Sequence, residues 1–264
     1  MLNGGMASST MMLFTSQRSL MRPIHRTWTI ASMRMRSSVV AQATIWRTSC
    51  RRRLNTNILT MSYIGGGASR AYGFLTRGCP RHCPFCIVSE KEGNTHTVAD
   101  LSEFWRGQKE IMLMDSNITA SKDCERHFDS LIESRAWINF EGGLDIRFMT
   151  EKGADQLNRM KISMIHFAWD NYEFKTYDKL KRIRPLIKKR GREVGVYVLT
   201  NYNTTLEQDL ERIYKLKELD CTPYVMIYDK PNAPREIKKL QRWCNNRIIF
   251  RTVERFEDLD ITKC

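Results

Sequence analysis

Residues 194–228, VGVYVLTNYNTTLEQDLERIYKLKELDCTPYVMIY, contain an apolar run, a helical segment and a second apolar run. The first run, residues 194–199, is the strongest strand signal in the chain. Thr204 and Glu207 have the spacing of a capping box, which predicts a helix that continues to about Leu219. Residues 223–228 form the second predicted strand. A strand, a helix and a strand in this order predict a βαβ unit with parallel strands.

The same alternation of strands and helices extends back to residue 71. The six predicted strands are residues 71–76, 110–114, 137–140, 163–169, 194–199 and 223–228. The six predicted helices are residues 97–105, 121–136, 150–160, 172–190 with a break or kink at Pro185, 204–219 and 233–246. After residue 140 the chain passes through Glu141-Gly142-Gly143 into an apolar segment, residues 144–149, which is expected to be extended.

This alternation predicts the α/β fold class with a parallel sheet. The strands are nearly continuous apolar runs, which is typical of a sheet that is covered on both faces. Six units are fewer than the eight that close a full barrel, so we expect an open or partial barrel, with a doubly wound sheet as the alternative. Both architectures place ligands at the carboxyl ends of the strands.

Residues 1–60 differ in composition from the rest of the chain. They contain nine Arg, no Lys and no acidic residue, whereas residues 61–264 carry 34 basic and 29 acidic residues. The net charge of +14 is therefore mostly a property of the N-terminal stretch. Three interpretations compete: a transit peptide, a disordered basic arm, or a translated region upstream of a true start at Met61. We expect residues 61–264 to form the folded core domain.

The chain contains no stretch of 18 or more apolar residues, which excludes a membrane-spanning helix. The cysteine usage also excludes a disulfide framework of the secreted type, because such frameworks belong to short chains with a signal peptide. We therefore expect a cytoplasmic protein without a membrane partner.

Three of the eight cysteines are crowded into one segment, Cys79-Pro80-Arg81-His82-Cys83-Pro84-Phe85-Cys86. It follows the first predicted strand, at the edge where this fold binds ligands. Three thiolates on one loop can converge on a metal centre. A structural zinc site would need a fourth ligand, and no second pair of closely spaced cysteines is present, so His82 or a distant cysteine would have to supply it. The other five cysteines are predicted to be buried small apolar residues: Cys50, Cys124, Cys221, Cys244 and Cys264.

The spacing C-x3-C-x2-C, with an aromatic residue directly before the last cysteine, resembles the cluster motif of the radical S-adenosylmethionine (radical SAM) superfamily. The resemblance covers roughly residues 70–230 and implies that family's partial (β/α)6 barrel. It implies that Cys79, Cys83 and Cys86 hold a [4Fe-4S] cluster whose fourth iron binds S-adenosyl-L-methionine. It further implies reductive cleavage of S-adenosylmethionine to a 5′-deoxyadenosyl radical, which takes a hydrogen atom from an unknown substrate.

The resemblance also assigns residues of the second and third strand ends to S-adenosylmethionine. Asp115, in the segment that ends at Asn117, replaces the family's Gly-Gly-Glu motif and would meet the amino group. Asp145 and Arg147 follow the third strand, and on an extended chain both would face the same side. Arg147 would bind the carboxylate through two parallel hydrogen bonds. A purely structural Asp145–Arg147 ion pair is the alternative.

Three further residues enter through the resemblance. Phe85 occupies the aromatic position of the motif, whose backbone lies near the adenine in that family. Asp170 ends the fourth strand, where the family often places a polar residue on the ribose. Asn201 ends the fifth strand, where the family often has an adenine-binding motif that contains glycine, and Thr200 departs from that motif.

The chain lacks a second cysteine cluster after Tyr228, and no cobalamin-binding domain is expected before Cys79, so we expect a minimal core without auxiliary domains. The resemblance implies an external electron donor such as flavodoxin or ferredoxin. One alternative function is a small activase that abstracts hydrogen from a glycine of a partner protein. Another is a nucleic-acid-binding protein with a structural metal, supported by the basic segments Lys188-Lys189-Arg190 and Lys238, Lys239, Arg242 and Trp243.

Overall fold

The computed structural model describes residues 69–259, so the predictions for residues 1–60, Cys50 and Cys264 lie outside the described residues. The strands in this range are β1 (Arg70–Gly73), β2 (Thr76–Arg77), β3 (His96–Thr97), β4 (Glu110–Leu113), β5 (Trp137–Phe140), β6 (Lys161–Ile162), β7 (Ile165–Ala168), β8 (Val194–Thr200) and β9 (Thr222–Ile227). The α-helices are α1 (Val88–Glu92), α2 (Leu101–Phe104), α3 (Cys124–Ser134), α4 (Glu151–Arg159), α5 (Phe174–Ile183), α6 (Leu206–Glu218), α7 (Arg235–Asn245) and α8 (Arg247–Thr252). The protein is thus a mixed α/β fold with parallel sheets.

The parallel strands lie in the order in which the chain makes them. One sheet has the order β1-β4-β5-β6 and a second has the order β7-β8-β9, and every pair in both is parallel. A parallel bridge between Leu144 and Phe167 joins the segment after β5 to β7. The order contains no reversal of the kind that defines a doubly wound sheet, which favours the sequential arrangement over that alternative.

The first predicted strand is divided in the structure. It is interrupted after Gly73, and Thr76 pairs with Thr97 in a short antiparallel sheet of β2 and β3. Thr97 therefore belongs to a strand, and the capping box of α2 is formed by Asp100 and Glu103 instead. The prediction of one strand over residues 71–76 was wrong at its carboxyl end, because the antiparallel pairing depends on a segment 20 residues away.

The segment after β5 is also less extended than expected. Leu144 pairs with Phe167, but Phe148 and Met149 donate their backbone N–H groups to the carbonyls of Asp145 and Ile146. These hydrogen bonds make a turn, so residues 145–149 are not a strand. Asp145 and Arg147 are consequently brought together by a turn and not by the two-residue repeat of a strand.

Several helix boundaries differ from the prediction by a few residues. The helix predicted to break at Pro185 ends at Ile183, and Arg184–Leu186 is a 3-10 turn, which confirms the break. The capping box of α6 is made by Thr205 and Gln208, one residue later than predicted. Thr204 does not form it, because its hydroxyl donates to the Asp209 carboxylate at 2.6 Å. Helix α8 was not predicted.

The main hydrophobic core lies between the parallel strands and the helices that cover one face of them. Its largest members are fully buried, among them Phe128, Ile138 and Trp169. A second buried cluster around Trp243 packs α6 and α7 with β9 and the segment that follows α8. Across the part of the chain that the structure describes, every helix is too short or too polar to cross a membrane.

Candidate functional site

The segment with three cysteines is a loop that follows β2 and leads into α1. Its two ends are held together by Glu92, which accepts a hydrogen bond from the Gly78 N–H at 2.9 Å and forms an ion pair with Arg77 at 3.2 Å. Gly78 has a φ of +85°, and a side chain there would collide with the backbone carbonyl of Asn94. Glycine is therefore required where the loop leaves the strand.

Among the described cysteines outside this loop, Cys221 and Cys244 are buried as predicted, whereas Cys124 is only half-buried. Cys79 and Cys83 are half-buried and Cys86 is exposed, and all three are free thiols. Burial raises the pKa of Cys124 to about 12 and that of Cys221 to about 11, and it raises the pKa of Cys244 further still. A thiol with a raised pKa in apolar surroundings is a poor metal ligand, because the thiolate is the binding form. Burial also raises the pKa of Cys83, so the loop cysteines are distinguished by their close spacing in the sequence and by the exposure of Cys86.

Within residues 69–259 no group of three or more His, Cys, Asp or Glu side chains is arranged to hold a single metal ion. A structural zinc site would bring all of its sulfurs onto one ion. An iron–sulfur cluster makes a different demand, because each cysteine binds a separate iron atom. Three free thiols on one loop, two of them half-buried, fit that donor set.

Asn117 connects the cysteine loop to the ends of two strands. Its side-chain Nδ2–H groups lie 3.3 Å from Cys79 Sγ and 3.4 Å from Asp145 Oδ2, although Asn117 is 38 residues from the cysteine. Thr119 donates its hydroxyl to the Asn117 side-chain oxygen at 2.9 Å, which fixes the amide orientation. An N–H donor on a cysteine sulfur is one of the groups that set the reduction potential of a bound cluster.

Asp145 and Arg147 form the ion pair that was the structural alternative. Arg147 donates from Nε to Asp145 Oδ1 at 2.7 Å and from Nη2 to Oδ2 at 3.1 Å. Burial raises the pKa of Asp145 to about 6, while Arg81 and the Asn117 amide lower it. Arg147 therefore reaches the site with two of its donors already bound to a carboxylate.

Arg81, inside the cysteine motif, faces two carboxylates. Its Nη1 lies 3.7 Å from Asp145 Oδ2, and its charge lowers the pKa of Asp170. Burial is the larger effect on Asp170 and raises that pKa to about 6. Burial raises the pKa of the Cys83 thiol, and the nearby Arg81 opposes that effect. The structure thus brings Asp145 and Asp170 together with the loop, and Arg81 joins them.

A buried arginine holds the ends of β7 and β8. Arg212 is fully buried and pairs with Asp209 at 2.5 Å. Its guanidinium donates to the backbone carbonyls of Trp169 at 2.6 Å and Leu199 at 2.7 Å. Trp169 directly follows β7 and Leu199 is the next-to-last residue of β8, so Arg212 positions the backbone that carries Asp170. Within residues 69–259 the carboxylate of Asp170 accepts no hydrogen bond and remains available to a ligand.

Asp115 does not face this group of residues. Its carboxylate is buried and accepts hydrogen bonds from the Thr76 N–H at 2.5 Å, the Thr76 hydroxyl at 2.6 Å and the Leu75 N–H at 3.2 Å. Burial raises its pKa to about 6 against the effect of these donors. Both carboxylate oxygens accept hydrogen bonds from residues of the turn between β1 and β2. This structural role differs from the role in cofactor binding that the resemblance implies.

Asn201 likewise has an internal partner. It adopts a left-handed backbone conformation with φ +61°, and its side-chain amide donates to the Tyr228 carbonyl at 2.8 Å. It therefore joins the ends of β8 and β9. The neighbouring Tyr202 contacts Phe85 edge to face at 5.2 Å and Tyr228 at 5.0 Å between ring centroids. Phe85 thus links the cysteine loop to an aromatic group at the far strand ends.

Four residues of this region were not singled out from the sequence: Arg81, Tyr202, Arg212 and Tyr228. Arg81 lies between Cys79 and Cys83, and a positively charged residue between two predicted ligands could have been recognised from the sequence as a site residue. Tyr202 is the second residue after β8, and Tyr228, which was predicted as the last residue of the sixth strand, directly follows β9. Arg212 carried no such signal, because a charged residue on an amphipathic helix is normally expected to face solvent.

The basic segments that favoured nucleic acid are engaged within the protein. Lys189 donates to the Ile162 carbonyl at 2.9 Å, and Arg190 pairs with Glu193 at 2.8 Å. Lys239 lies over the Phe256 ring, and Trp243 is fully buried, so this tryptophan cannot stack on a base. These contacts give no support to a nucleic-acid surface.

No protein-family model matches the chain, and no curated protein matches it. Among solved structures it is similar to "radical S-adenosylmethionine methyltransferase, TsrM, from Kitasatospora setae with cobalamin and [4Fe-4S] cluster bound". The identity is 14%, the TM-score is 0.49, and the match covers 59% of this chain and 36% of that one. The chain therefore spans about a third of the length of that enzyme.

Proposed function

We propose that this chain is a radical SAM enzyme that binds a [4Fe-4S] cluster and S-adenosylmethionine at the carboxyl edge of its parallel strands. The observation that carries the proposal is the position of the C-x3-C-x2-C loop. Its Cys79 sulfur accepts a hydrogen bond from Asn117, which follows β4. Its Arg81 faces the carboxylates of Asp145, which follows β5, and Asp170, which follows β7. The sequential order of parallel strands supports the partial (β/α)6 barrel as the architecture.

In this proposal Cys79, Cys83 and Cys86 are the cluster ligands. When bound, the cluster supplies the electron that cleaves S-adenosylmethionine to methionine and a 5′-deoxyadenosyl radical. Asn117 donates a hydrogen bond to the Cys79 sulfur, which stabilises negative charge on it. Glu92 holds both ends of the loop and so limits the movement of the three thiols.

Two of the ligand contacts that the sequence implied, those of Asp115 and Asn201, are withdrawn, and the others are kept. Arg147 is the group that binds the carboxylate of S-adenosylmethionine, with Asp145 as its positioning residue. Asp170 offers an unoccupied carboxylate to the ammonium or to a ribose hydroxyl. Phe85 and Tyr202 provide ring surfaces for the adenine. Asp115 and Asn201 are left out of the contacts, because their side chains hold the turn after β1 and the ends of β8 and β9.

The proposal retains a cytoplasmic location and an external electron donor such as flavodoxin or ferredoxin. It does not specify the hydrogen donor, which is either an unknown substrate or a glycine of a partner protein, as in the activase alternative.

The test is anaerobic reconstitution of the full chain with iron and sulfide, followed by reduction with dithionite in the presence of S-adenosylmethionine. We expect about four irons and four sulfides per chain and formation of 5′-deoxyadenosine. A stoichiometric zinc content without labile sulfide would refute the proposal.

A further inference from the structure

The two faces of the parallel strands carry different residues. The face toward the helices is buried and aliphatic or aromatic, with Ile111, Ile138, Phe167, Val196, Val198 and Val225. The opposite face, here called the inner face, is half-buried and consists of Tyr72, Met112, Asn139, His166, Tyr197 and Tyr224. Parallel sheets are normally covered on both sides, and the interior of a closed barrel is filled mainly with Val, Ile and Leu. The inner face is not a packed core of that kind.

Both sheets contribute to one space. Tyr72, Met112 and Asn139 lie in one row across β1, β4 and β5, and Tyr197 is paired with Tyr224 across β8 and β9. Glu141 continues β5, because its N–H donates to the Leu113 carbonyl at 2.8 Å. Burial, then Tyr224 and the Glu141 carboxylate, raise the pKa of Tyr197 to about 12. Leu144 pairs with Phe167 of β7, and a Cβ placed on Gly143 would lie 3.8 Å from the Tyr197 ring, so the segment after β5 brings the two rows together.

The aromatic rings of the inner face form a continuous group. The His166 and Tyr197 rings are stacked, with centroids 5.0 Å apart and planes inclined by 7°. Tyr224 meets Tyr197 at 86°, with centroids 5.7 Å apart. This arrangement presents both ring faces and ring edges, which are the two surfaces on which another aromatic ring packs.

Several polar groups on this face have no partner. Between residues 69 and 259, the Tyr197 and Tyr224 hydroxyls and both ring nitrogens of His166 make no hydrogen bond. The Asn139 amide contacts the Met112 sulfur at 3.2 Å through Nδ2, and its oxygen is free in the same range. Polar groups that are shielded from bulk water normally have partners, so these groups, unpaired within residues 69–259, could pair with the polar groups of a ligand.

The middle of the inner face carries no charge. Burial lowers the pKa of His166 to about 4, so this ring is neutral at neutral pH. Among residues 69–259, the charged groups stand at the two ends: the Arg70–Glu110 ion pair and Arg247 at the amino end, and Glu141 at the carboxyl end, the edge that also carries Asp145 and Asp170. A charged ligand would lose its hydration here without gaining an opposite charge, whereas a neutral ring loses little.

We propose that the inner face binds a neutral aromatic or heteroaromatic ring of the substrate, one that carries an amide or hydroxyl group. The proposal rests on the proposed function, because the carboxyl ends of these strands are the edge at which the cysteine loop lies. The ring stacks on the tyrosines, and its polar group pairs with Asn139 or His166.

The experiment measures binding of small probes to the full chain without added S-adenosylmethionine, by saturation-transfer NMR and titration. The probes are benzamide, cyclohexanecarboxamide, benzoate and benzylamine, which separate ring character from charge. We expect benzamide to bind at least threefold more tightly than each of the other three. Tyr197→Leu and Tyr224→Leu should each weaken benzamide binding by about threefold to tenfold. Phe174→Leu is the matched control, because that exposed ring lies on the outer helical layer near Lys215.

Tyr197→Phe keeps the ring and should keep benzamide affinity within about twofold, which separates loss of stacking from loss of folding. Equal binding of all four probes, or unchanged affinity in both leucine variants, would overturn the proposal. The assay needs neither cluster nor S-adenosylmethionine. A negative result with 5′-deoxyadenosine formation intact would therefore reject the substrate class and leave the proposed function standing.

Discussion

Asn117 donates a hydrogen bond to the sulfur of Cys79 across 3.3 Å, and the same amide lies 3.4 Å from Asp145. One side chain thus joins the cysteine loop to the ends of two neighbouring parallel strands. The contact is possible because parallel strands end at the same edge of the sheet, where the loop after β2 also lies. Under the proposed function, this hydrogen bond is one through which the protein would adjust the electronic state of the cluster.

Cysteine replacement separates ligands from buried thiols. Cys79→Ala, Cys83→Ala and Cys86→Ala should each lose the iron and labile sulfide and the broad visible absorption of the reconstituted protein. Cys124→Ala and Cys221→Ala should keep them, because burial raises the pKa of these thiols to about 12 and about 11. Iron and sulfide analysis of matched preparations measures the difference. Full cluster content in any of the three loop variants would remove that cysteine from the ligand set.

Removal of the donor at Asn117 should lower the reduction potential of the cluster. The reduced cluster carries more negative charge than the oxidised one, so a hydrogen bond to sulfur stabilises the reduced form more. Loss of a hydrogen bond of about 1 kcal/mol corresponds to about 40 mV for one electron. Asn117→Ala should therefore keep its iron and titrate at a more negative potential by electron paramagnetic resonance. Asn158→Ala, which removes exposed hydrogen bonds to the Leu186 carbonyl and from the Lys188 N–H, should not shift it.

Arg147 should contribute to binding of S-adenosylmethionine. Loss of one charge-assisted hydrogen bond costs about 1.5–3 kcal/mol, or about 10- to 150-fold in affinity. Arg147→Ala should keep the cluster and weaken S-adenosylmethionine binding at least about tenfold in equilibrium dialysis. Arg182→Ala is the control, because Arg182 pairs with Glu151 on the exposed surface. Wild-type affinity in Arg147→Ala would show that this arginine serves only to pair with Asp145.

The Asp115 carboxyl should make stability depend on pH. Its pKa in the folded protein is about 6, above the ordinary 3.8, because burial raises it. The folded state then binds this proton more tightly than the unfolded state. The protonated carboxyl therefore contributes fully to the free energy of unfolding below about pH 4, and this contribution is lost as the pH rises through 6. The free energy of unfolding should fall by up to about 3 kcal/mol over this interval. Urea unfolding should show a smaller fall in Asp115→Asn, and an equal fall in both proteins would contradict this assignment.

A chain that begins at Met61 should fold like the full chain. Residues 1–60 have no sustained apolar period with which to bury a face, and the described core is built from residues after Ser69. Thermal unfolding and iron content should be the same for both chains. Insolubility of the shorter chain, or loss of its iron, would show that the N-terminal residues contribute to the fold.

The alternation of apolar runs with helical segments was sufficient to predict the α/β class and all six main strands. It was sufficient because a buried strand is recognisable as a short apolar run, and a connecting helix is recognisable by the helical spacing of its apolar residues and by its capping residues. The cysteine loop lies beside Asn117 and Asp145, which follow β4 and β5, although the strand that it follows directly is the short antiparallel β2. The short pairing of Thr76 with Thr97 was not predictable, because it depends on a partner distant in the sequence.

The roles of individual polar residues were decided only by the tertiary structure. The sequence placed Asp115, Asp145 and Asp170 alike at strand ends. Packing turns Asp115 back onto Thr76, pairs Asp145 with Arg147 and leaves Asp170 without a hydrogen bond in residues 69–259. The direction of a side chain at a strand end depends on the turn that follows and on the donors that neighbouring segments bring. Those donors come from residues up to 40 positions away, so their arrangement exists only in the folded chain.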